Sequence, residues 1–543
     1  METKEQQGST RFVKGAVILA VAGILCKLMG VLFRVWAYDI LGEAGMDYYE
    51  IVFPFYSWLL IISSSGIPAA ISRMVAERTA TGDYAGARKV FTKSLGLMAI
   101  IGLVTTAVLY FGAGWFTRVL AHKPPDYALS FQALAPALFF VSLLCAYRGY
   151  LQGVQRMAGT GISQIAEQLA KCVFALLLAR LWLPKGVAYA AAGVLLGVAA
   201  SELVALLVMM LFTWRNRRVL MPQGANLTAK NDSGILKKML AIAVPITLGA
   251  SIIPLTSMID VSMIHSILGK YMSADEVQRC YVALSSNVRS IINLPAGITV
   301  SLAMSLVPAI SAARASGDKK GLTEATQLGI KLSMVVGLPC AVGLFVLGGP
   351  IIHMLFRSIS PESLALATSL MRYASITVVF ISLVQTATGA LQGIGQQRLS
   401  VYFLLIGGVV KVISGYILLR IPAISINGAS ISNLLCYGVA GILDTIFLLR
   451  HVQMKLSLWD VFGKPVLGAL WMGVLIWSCY RLLYRLHPGS LATLGAILIG
   501  VAVYLLLVFA LKMFNESELR RIPGGRKMIR FLGEKKLPHG SEQ

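Results

Sequence analysis

Charged residues are scarce in this chain, and acids are scarcer than bases. Aspartate, glutamate, lysine and arginine make up 13% of the 543 residues, whereas about a quarter of a typical soluble protein is charged. Hydrophobic residues reach 57%. Such a composition excludes an ordinary soluble domain and favours a chain that lies mostly in lipid.

The chain also lacks the residue patterns of enzyme sites, metal sites and disulfide frameworks. Its seven cysteines lie in or beside apolar runs, and its six histidines are scattered. No GxxxxGK(S/T), HExxH or GxSxG pattern occurs. The net charge of +24 is not accompanied by a basic and aromatic groove. The sequence therefore predicts no catalytic residue, no bound metal or cofactor, and no nucleic-acid partner.

An internal repeat organises the chain. The pattern Gly-x-Leu-Gln-Gly occurs at 149–153 and again at 389–393, an offset of 240 residues. Several matches in one order and at one spacing indicate a duplicated half. The same offset relates further residue pairs, namely Pro68 and Pro308, Lys171 and Lys411, and Arg180 and Arg420.

Apolar segments of roughly 20 residues, the length that crosses a bilayer, recur along the whole chain. They predict an all-α polytopic membrane protein with about 14 transmembrane helices. The predicted segments are 15–38, 48–71, 94–115, 130–152, 162–183, 187–212, 239–264, 283–310, 330–355, 367–391, 399–419, 427–449, 464–484 and 491–513.

The repeat and the apolar segments together define the predicted organisation. A first six-helix lobe occupies 1–214, and a polar linker with Pro, Gly, Asn and Asp residues occupies 215–238. A second six-helix lobe occupies 239–450. Two further helices lie within 451–513, and a basic tail follows at 514–543.

Lysine and arginine are distributed unevenly among the predicted loops. With the N-terminus inside, 31 of them lie in inside segments and 10 in outside segments, and the remaining seven within helices complete the total of 48. The positive-inside rule therefore places both termini in the cytoplasm. Both lobes then begin on the same side, which makes the repeats parallel in topology, as in some transporter folds.

Charged residues inside the predicted helices are candidates for function. Each costs at least about 2.5–3.5 kcal/mol on insertion scales. Lys27 and Arg34 lie two helical turns apart and share one helix face. Together they suit an anionic ligand such as a phosphate or pyrophosphate. The alternative is that they pair with Glu167 or Glu202 from neighbouring helices.

Glu167 and Lys171 are spaced i, i+4 in the favourable order, which predicts a salt bridge that stabilises their helix. Lys411 is the repeat mate of Lys171, but Gly407 stands where the corresponding glutamate would be. The two lobes are therefore expected to treat this lysine differently.

Several other intramembrane charges have open alternatives. Lys411 could contact Asp444 or Asp260, or line a cavity. Asp260 could bind a coupling proton or sodium ion, or pair with Arg289 or Lys411. Asp444 and Glu202 are further candidates for coupling or for lining a cavity.

Four motifs point to a known family. The chain resembles the stage V sporulation protein B family of polysaccharide transporters, within the multidrug/oligosaccharidyl-lipid/polysaccharide exporter superfamily. The motifs are GIPAAISR at 66–73, RGYLQG at 148–153, SQIAEQ at 163–168 and SLVPAIS at 305–311.

The resemblance implies two six-helix lobes around a central cavity, with two extra C-terminal helices. It also implies movement of an undecaprenyl-pyrophosphate-linked saccharide, resembling the peptidoglycan precursor lipid II, between the leaflets of a bacterial cell membrane. Lys27, Arg34 and Arg289 match in kind the cavity-facing basic residues of lipid II flippases. Those flippases carry an arginine on their second helix, whereas the membrane part of the second helix here has none and the first basic residue, Arg73, lies at its inner end. A second departure is Asn293, which stands where an acid is expected.

The partners implied by the resemblance are the lipid-linked saccharide, anionic membrane lipids and cell-wall synthesis proteins. Two other functions remain open at this point. One is a cation-coupled multidrug exporter of the same superfamily, and the other is a non-transporting scaffold for cell-wall or spore-cortex synthesis. A cavity that carries bases favours an anionic lipid, whereas one that carries acids favours cationic drugs.

Overall fold

The computed structural model describes residues 4–216, 234–454, 457–515 and 518. Most of the predicted linker and nearly all of the basic tail lie outside the described residues. Within the described part the chain is helical and contains no strand. Its contacts group it into two compact units, Met1–Ser286 and Asn287–Gln543. The lobe limits drawn from the sequence stay a prediction.

The first unit contains nine helices of at least nine residues among its described residues, followed by a π-helical turn at Ala283–Val288. Their apolar faces form a shared core of α2, α3, α4, α6 and α7. The helices are α1 Lys4–Ser64, α2 Gly66–Ala80, α3 Tyr84–Phe111, α4 Ala128–Gly153, α5 Met157–Trp182, α6 Val187–Arg215, α7 Ile235–Ala250, α8 Ile252–Leu268 and α9 Ala274–Val282.

The second unit contains seven α-helices of at least 21 residues among its described residues. Its helices α11 and α12 pack together, α13 and α14 pack together, and α15 packs on both α11 and α16. The helices are α10 Arg289–Ala315, α11 Lys319–Leu355, α12 Pro361–Gly393, α13 Gln397–Leu418, α14 Asn427–Val452, α15 Lys464–Leu486 and α16 Ser490–Ala510.

The same two-residue signal starts a helix in each unit. Gly82 and Gly317 have φ of 76° and 71°, in the left-handed region that glycine occupies most readily. The next residues are Asp83 and Asp318, whose carboxylates accept hydrogen bonds from backbone amides three residues on, at 2.7 and 2.8 Å. These caps start α3 and α11, so the sequence repeat is repeated in local structure.

The repeated Gly-x-Leu-Gln-Gly motif is a helix-packing motif in both units. A Cβ at Gly149 would lie 2.9 Å from a backbone oxygen of α2, and one at Gly389 would lie 2.9 Å from a backbone oxygen of α10. Gly153 and Gly393 are similarly crowded by side chains of those helices. Small residues allow helices in lipid to approach this closely, so each motif joins two helices of its unit.

The C-terminal helix α16 faces lipid with its large residues. Leu494, Leu498 and Val501 are exposed, whereas Ala492 and Ala496 are buried. In a soluble helix the large apolar residues would be inside. The reverse arrangement fits a helix whose outer side contacts acyl chains and whose small residues pack against protein.

Twelve helical stretches within the described residues are long and apolar enough to cross a membrane. The first of these, Leu25–Ala80, has 56 residues, and at about 1.5 Å per residue it is more than twice as long as the roughly 30 Å apolar core of a bilayer. It bends at Gly42, where φ is 65°. The prediction of an all-α polytopic membrane protein is confirmed.

Candidate functional site

Arg34 is held by residues that are far away in sequence. Its Nη1 lies 3.3 Å from Oε1 of Glu50 and donates a hydrogen bond to the carbonyl oxygen of Ser285 at 3.1 Å. Its side chain is 18% exposed and that of Glu50 is 5% exposed. In a straight helix, sixteen residues would separate Arg34 from Glu50 by about 24 Å. The bend at Gly42 therefore makes this ion pair geometrically possible.

A tyrosine adds a second contact at the same place. The hydroxyl of Tyr281 donates to the backbone carbonyl of Glu50 at 3.0 Å. Arg34, Glu50, Tyr281 and Ser285 will be called the Arg34 cluster. Its members join the two arms of α1 to α9 and to the π-helical turn, all within the first unit.

Lys27 lies two turns before Arg34 on the same helix and is exposed. Its predicted companion cation, Arg34, is mostly buried and already has an acid as partner. This acid, Glu50, is neither of the two partners considered from sequence. The signal for it was present, because Glu50 stands at the start of the apolar segment 48–71.

The predicted pair of Glu167 and Lys171 differs from the observed contacts. Glu167 accepts from Nη2 of Arg148 at 2.9 Å, and the same nitrogen lies 3.3 Å from the hydroxyl of Ser163. The ammonium of Lys171 instead lies 4.5 Å from the centre of the Phe33 ring. Arg148 from α4 therefore stands in the place of the local lysine as the partner of Glu167.

Glu202 on α6 completes a group of four charges in the first unit. Its charged neighbours are Glu167, Arg148 and Lys171. These four residues will be called the charge cluster, which contains two acids and two bases from α4, α5 and α6. Their formal charges cancel, and the roles of Glu202 in coupling or in lining a cavity stay a prediction.

The other predicted site residues lie in different places. Asp260 is buried on α8 of the first unit, whereas Lys411 and Asp444 are buried on α13 and α14 of the second. Arg289 is the first residue of α10, directly after the π-helical turn. Asp444 accepts a hydrogen bond from Ser400 at 3.2 Å, a partner that sequence reasoning did not name.

A family model provides the decisive comparison. The model for polysaccharide biosynthesis proteins matches residues 12–314, more than half of the chain. The chain belongs to this family. A second model, described as MatE, matches residues 245–417. The resemblance seen in the four sequence motifs is thereby confirmed.

Two relatives from Bacillus subtilis match this family member over almost its whole length. The lipid II flippase MurJ is 24% identical, with 97% of this chain and 100% of that protein covered. Stage V sporulation protein B is 25% identical, with 96% and 99% covered. The protein is thus a multi-pass membrane transporter of the multidrug/oligosaccharidyl-lipid/polysaccharide exporter superfamily.

Solved structures share the fold of this family member. The lipid II flippase MurJ in an inward closed conformation has a TM-score of 0.67 and 15% identity, with 90% of this chain and 98% of that chain covered. An inward-facing multidrug resistance MATE family transporter has a TM-score of 0.68 and 17% identity, with 81% and 98% covered. At this identity the likeness shows the fold alone.

Proposed function

We propose that this family member moves an undecaprenyl-pyrophosphate-linked saccharide from the inner to the outer leaflet of a bacterial cell membrane. The substrate is a peptidoglycan precursor of the lipid II type. The full-length similarity to a protein named lipid II flippase supports this choice. The protein acts as a transporter and not as an enzyme, because the saccharide lipid changes sides without a covalent step.

The observation that carries the proposal is the pair of cations on α1. Lys27 and Arg34 lie seven residues apart, about two helical turns, and therefore share a face of α1. A pyrophosphate is doubly anionic and matches the planar fork of arginine, while lysine supplies a point charge. A head group that reaches Arg34 competes with Glu50 for the same guanidinium.

Arg289, the first residue of α10, is proposed as a further residue that binds the head group. Transport then follows alternating access of two parallel repeats.

We assign fourteen crossings, with two in the bent Leu25–Ala80 stretch and one in α10, and both termini in the cytoplasm. The basic tail at 514–543 is proposed to bind anionic lipids, and cell-wall synthesis proteins are its proposed partners.

The test is flipping of a lipid-linked saccharide in vesicles that contain the purified protein. Lys27→Ala, Arg34→Ala and Arg289→Ala should each slow flipping about tenfold or more, because a hydrogen bond to a charged group contributes about 1.5–3 kcal/mol. Lys27→Arg should remain active, because the positive charge is retained. Arg73→Ala is the matched control, since Arg73 is an exposed arginine paired with Glu77.

Membrane abundance must be measured beside flipping in every variant. Normal flipping by a well-expressed triple alanine variant would remove these three residues from the site. Absence of flipping by the well-expressed wild type would favour a non-transporting scaffold in cell-wall synthesis.

The structural likeness to a multidrug transporter gives the second candidate, a cation-coupled exporter of cationic drugs. Such a drug needs acids that are not already neutralised. Glu167 is paired with Arg148, which counts against it as a drug ligand. Glu202 shares Arg148 and Lys171 with Glu167 as charged neighbours and is the acid to test. Efflux of a cationic dye that is lost in Glu202→Gln, together with absence of lipid flipping, would favour this second candidate.

A further inference from the structure

The repeat-related positions of Arg148 and Thr388 carry different side chains in the two units. In the first unit, Arg148 on α4 neutralises Glu167 and contacts Ser163. The 240-residue offset of the repeat takes Arg148 to Thr388 on α12. The first unit therefore has a positively charged side chain, Arg148, at the position where the second unit has the hydroxyl of Thr388.

The second unit nevertheless has a buried carboxylate beside this hydroxyl. The side-chain oxygens of Thr388 and Ser400 are 2.6 Å apart, and the Ser400 hydroxyl donates to Oδ2 of Asp444 at 3.2 Å. Asp444 is 0% exposed and Ser400 is 3% exposed. These three residues will be called the hydroxyl cluster. They come from α12, α13 and α14, so three helices meet at the carboxylate.

One oxygen of this carboxylate is left without a partner. Oδ1 of Asp444 is buried, and no hydrogen-bond donor among the described residues contacts it. An ionised carboxylate is costly to bury unless it is paired and hydrogen-bonded. A proton on Oδ1 would remove the charge while the hydrogen bond from Ser400 to Oδ2 remains.

The charged and titratable groups on the surrounding elements lie well away from Asp444 or have other contacts. Lys411 is eleven residues after Ser400, about 16 Å along α13, and Arg372 is sixteen residues before Thr388, about 24 Å along α12. On α14 itself, Cys436 and Tyr437 lie eight and seven residues before Asp444, about 12 and 10 Å along the helix. The remaining groups are Glu362 and Tyr373 on α12, Arg398, Tyr402 and Tyr416 on α13, and Arg450 and His451 on α14, all of them exposed. Lys331 on α11 is paired with Glu518.

A metal ion fits this cluster less well than a proton does. Hard cations in proteins are surrounded by several oxygen ligands. Oδ2 of Asp444 is already engaged by Ser400, whose own oxygen contacts Thr388. The described residues also contain no group of three or more histidine, cysteine, aspartate or glutamate side chains that could hold a metal. A single proton on Oδ1 neutralises the carboxylate and needs no further ligand.

The geometry points to Asp444 as a proton-binding site of the second unit, with Ser400 and Thr388 as positioning residues. The carboxylate gains a proton at Oδ1 and later releases it, and no other bond changes. Proton binding is a property of the protein alone. Its coupling to movement of a lipid-linked saccharide rests on the proposed function.

Infrared difference spectroscopy of the full-length protein in lipid tests the binding step directly. Between mildly alkaline and mildly acidic buffer, the wild type should gain a carbonyl band of a protonated carboxyl. Asp444→Asn should lose this band, Asp444→Glu should shift it, and Ser400→Ala should shift it because the hydrogen bond to Oδ2 is removed. Ser414→Ala is the matched control on α13, since its hydroxyl donates only to backbone carbonyls of its own helix.

Either of two results would overturn the assignment. The first is the same band in wild type and in folded Asp444→Asn. The second is a band that is unaltered in Asp444→Glu, which keeps a carboxyl and covers the case in which the asparagine variant does not fold.

Transport with an imposed pH gradient tests the coupling separately, with lipid II as the probe. The gradient should raise the wild-type rate several-fold, and Asp444→Asn should flip at a rate that does not respond to it. Stimulation by a sodium gradient that depends on Asp444 would overturn the choice of a proton. If the wild type flips no probe under any gradient, the proposed function fails, whereas the infrared result still decides the proton site.

Discussion

At the scale of single residues, the first unit uses buried charges in two ways. Arg34 is held by one acid and one backbone carbonyl at the bend of α1, and we propose that a phosphate of the substrate takes the place of one of them. Arg148 and Glu167, at 17% and 16% exposure, instead neutralise one another. Arg34 is therefore proposed to exchange its partner for a ligand, and the Arg148–Glu167 pair is proposed to hold α4 and α5 together.

The Arg148–Glu167 pair leads to a prediction about stability. Removing one partner of a buried ion pair typically costs about 3–5 kcal/mol, because the other charge is left in a poor environment. Arg148→Met and Glu167→Gln should therefore each lower the amount of folded protein more than the double variant does. Arg73→Met is the control, because the Arg73–Glu77 pair is exposed and exposed ion pairs contribute only about 0–1 kcal/mol.

Quantitative blotting of membranes and thermal unfolding of the purified variants measure the effect of these substitutions. A double variant that is as unstable as the worse single variant would contradict the prediction. Full abundance of both single variants with loss of transport would move Glu167 to the substrate or coupling path.

At the scale of helices, the repeated glycine motifs set how closely two helices can approach. Gly153→Val would place a branched side chain where a Cβ already lies 2.7 Å from Val75 and 2.8 Å from a backbone oxygen of Ser72. Overpacking of this kind typically costs about 1–3 kcal/mol. We expect a lower midpoint of thermal unfolding in detergent. Gly96→Ala on α3 is the control, because no atom lies within 4 Å of the added Cβ. An unchanged midpoint for Gly153→Val would show that α2 and α4 separate without loss.

The helices and their repeat were predictable, but most partners of the buried charges were not. The length of the apolar segments identifies the helices. The glycine motifs indicate close helix contacts, and the Gly-Asp pairs indicate where helices begin. The contact of Arg34 with Glu50 depends on a bend at Gly42 that turns α1 back on itself. Arg148 displaces Lys171 because α4 packs beside α5 in space, and spacing along one helix does not contain that information.

At the scale of the whole molecule, the family match and the hydropathy agree on a multi-pass transporter. The number of crossings then decides on which side each terminus lies. An even number places both termini on one side of the membrane. The stretch Leu25–Ala80 matters most for this count, because reading it as one crossing instead of two would reverse the side of every loop that follows.

Topology is therefore the prediction that tests the crossings as a set. In a cysteine-free background, Ala225→Cys in the predicted linker should resist a membrane-impermeant thiol reagent added from outside. Asp275→Cys, which lies between the first and second crossings of the second repeat, should react with it. The reason is the excess of lysine and arginine on the inside, 31 against 10 among the loop residues. Both positions should react after the membrane is opened with detergent, which controls for access. Strong labelling at 225 in intact cells, or none at 275, would reverse the orientation and with it the direction in which the proposed substrate moves.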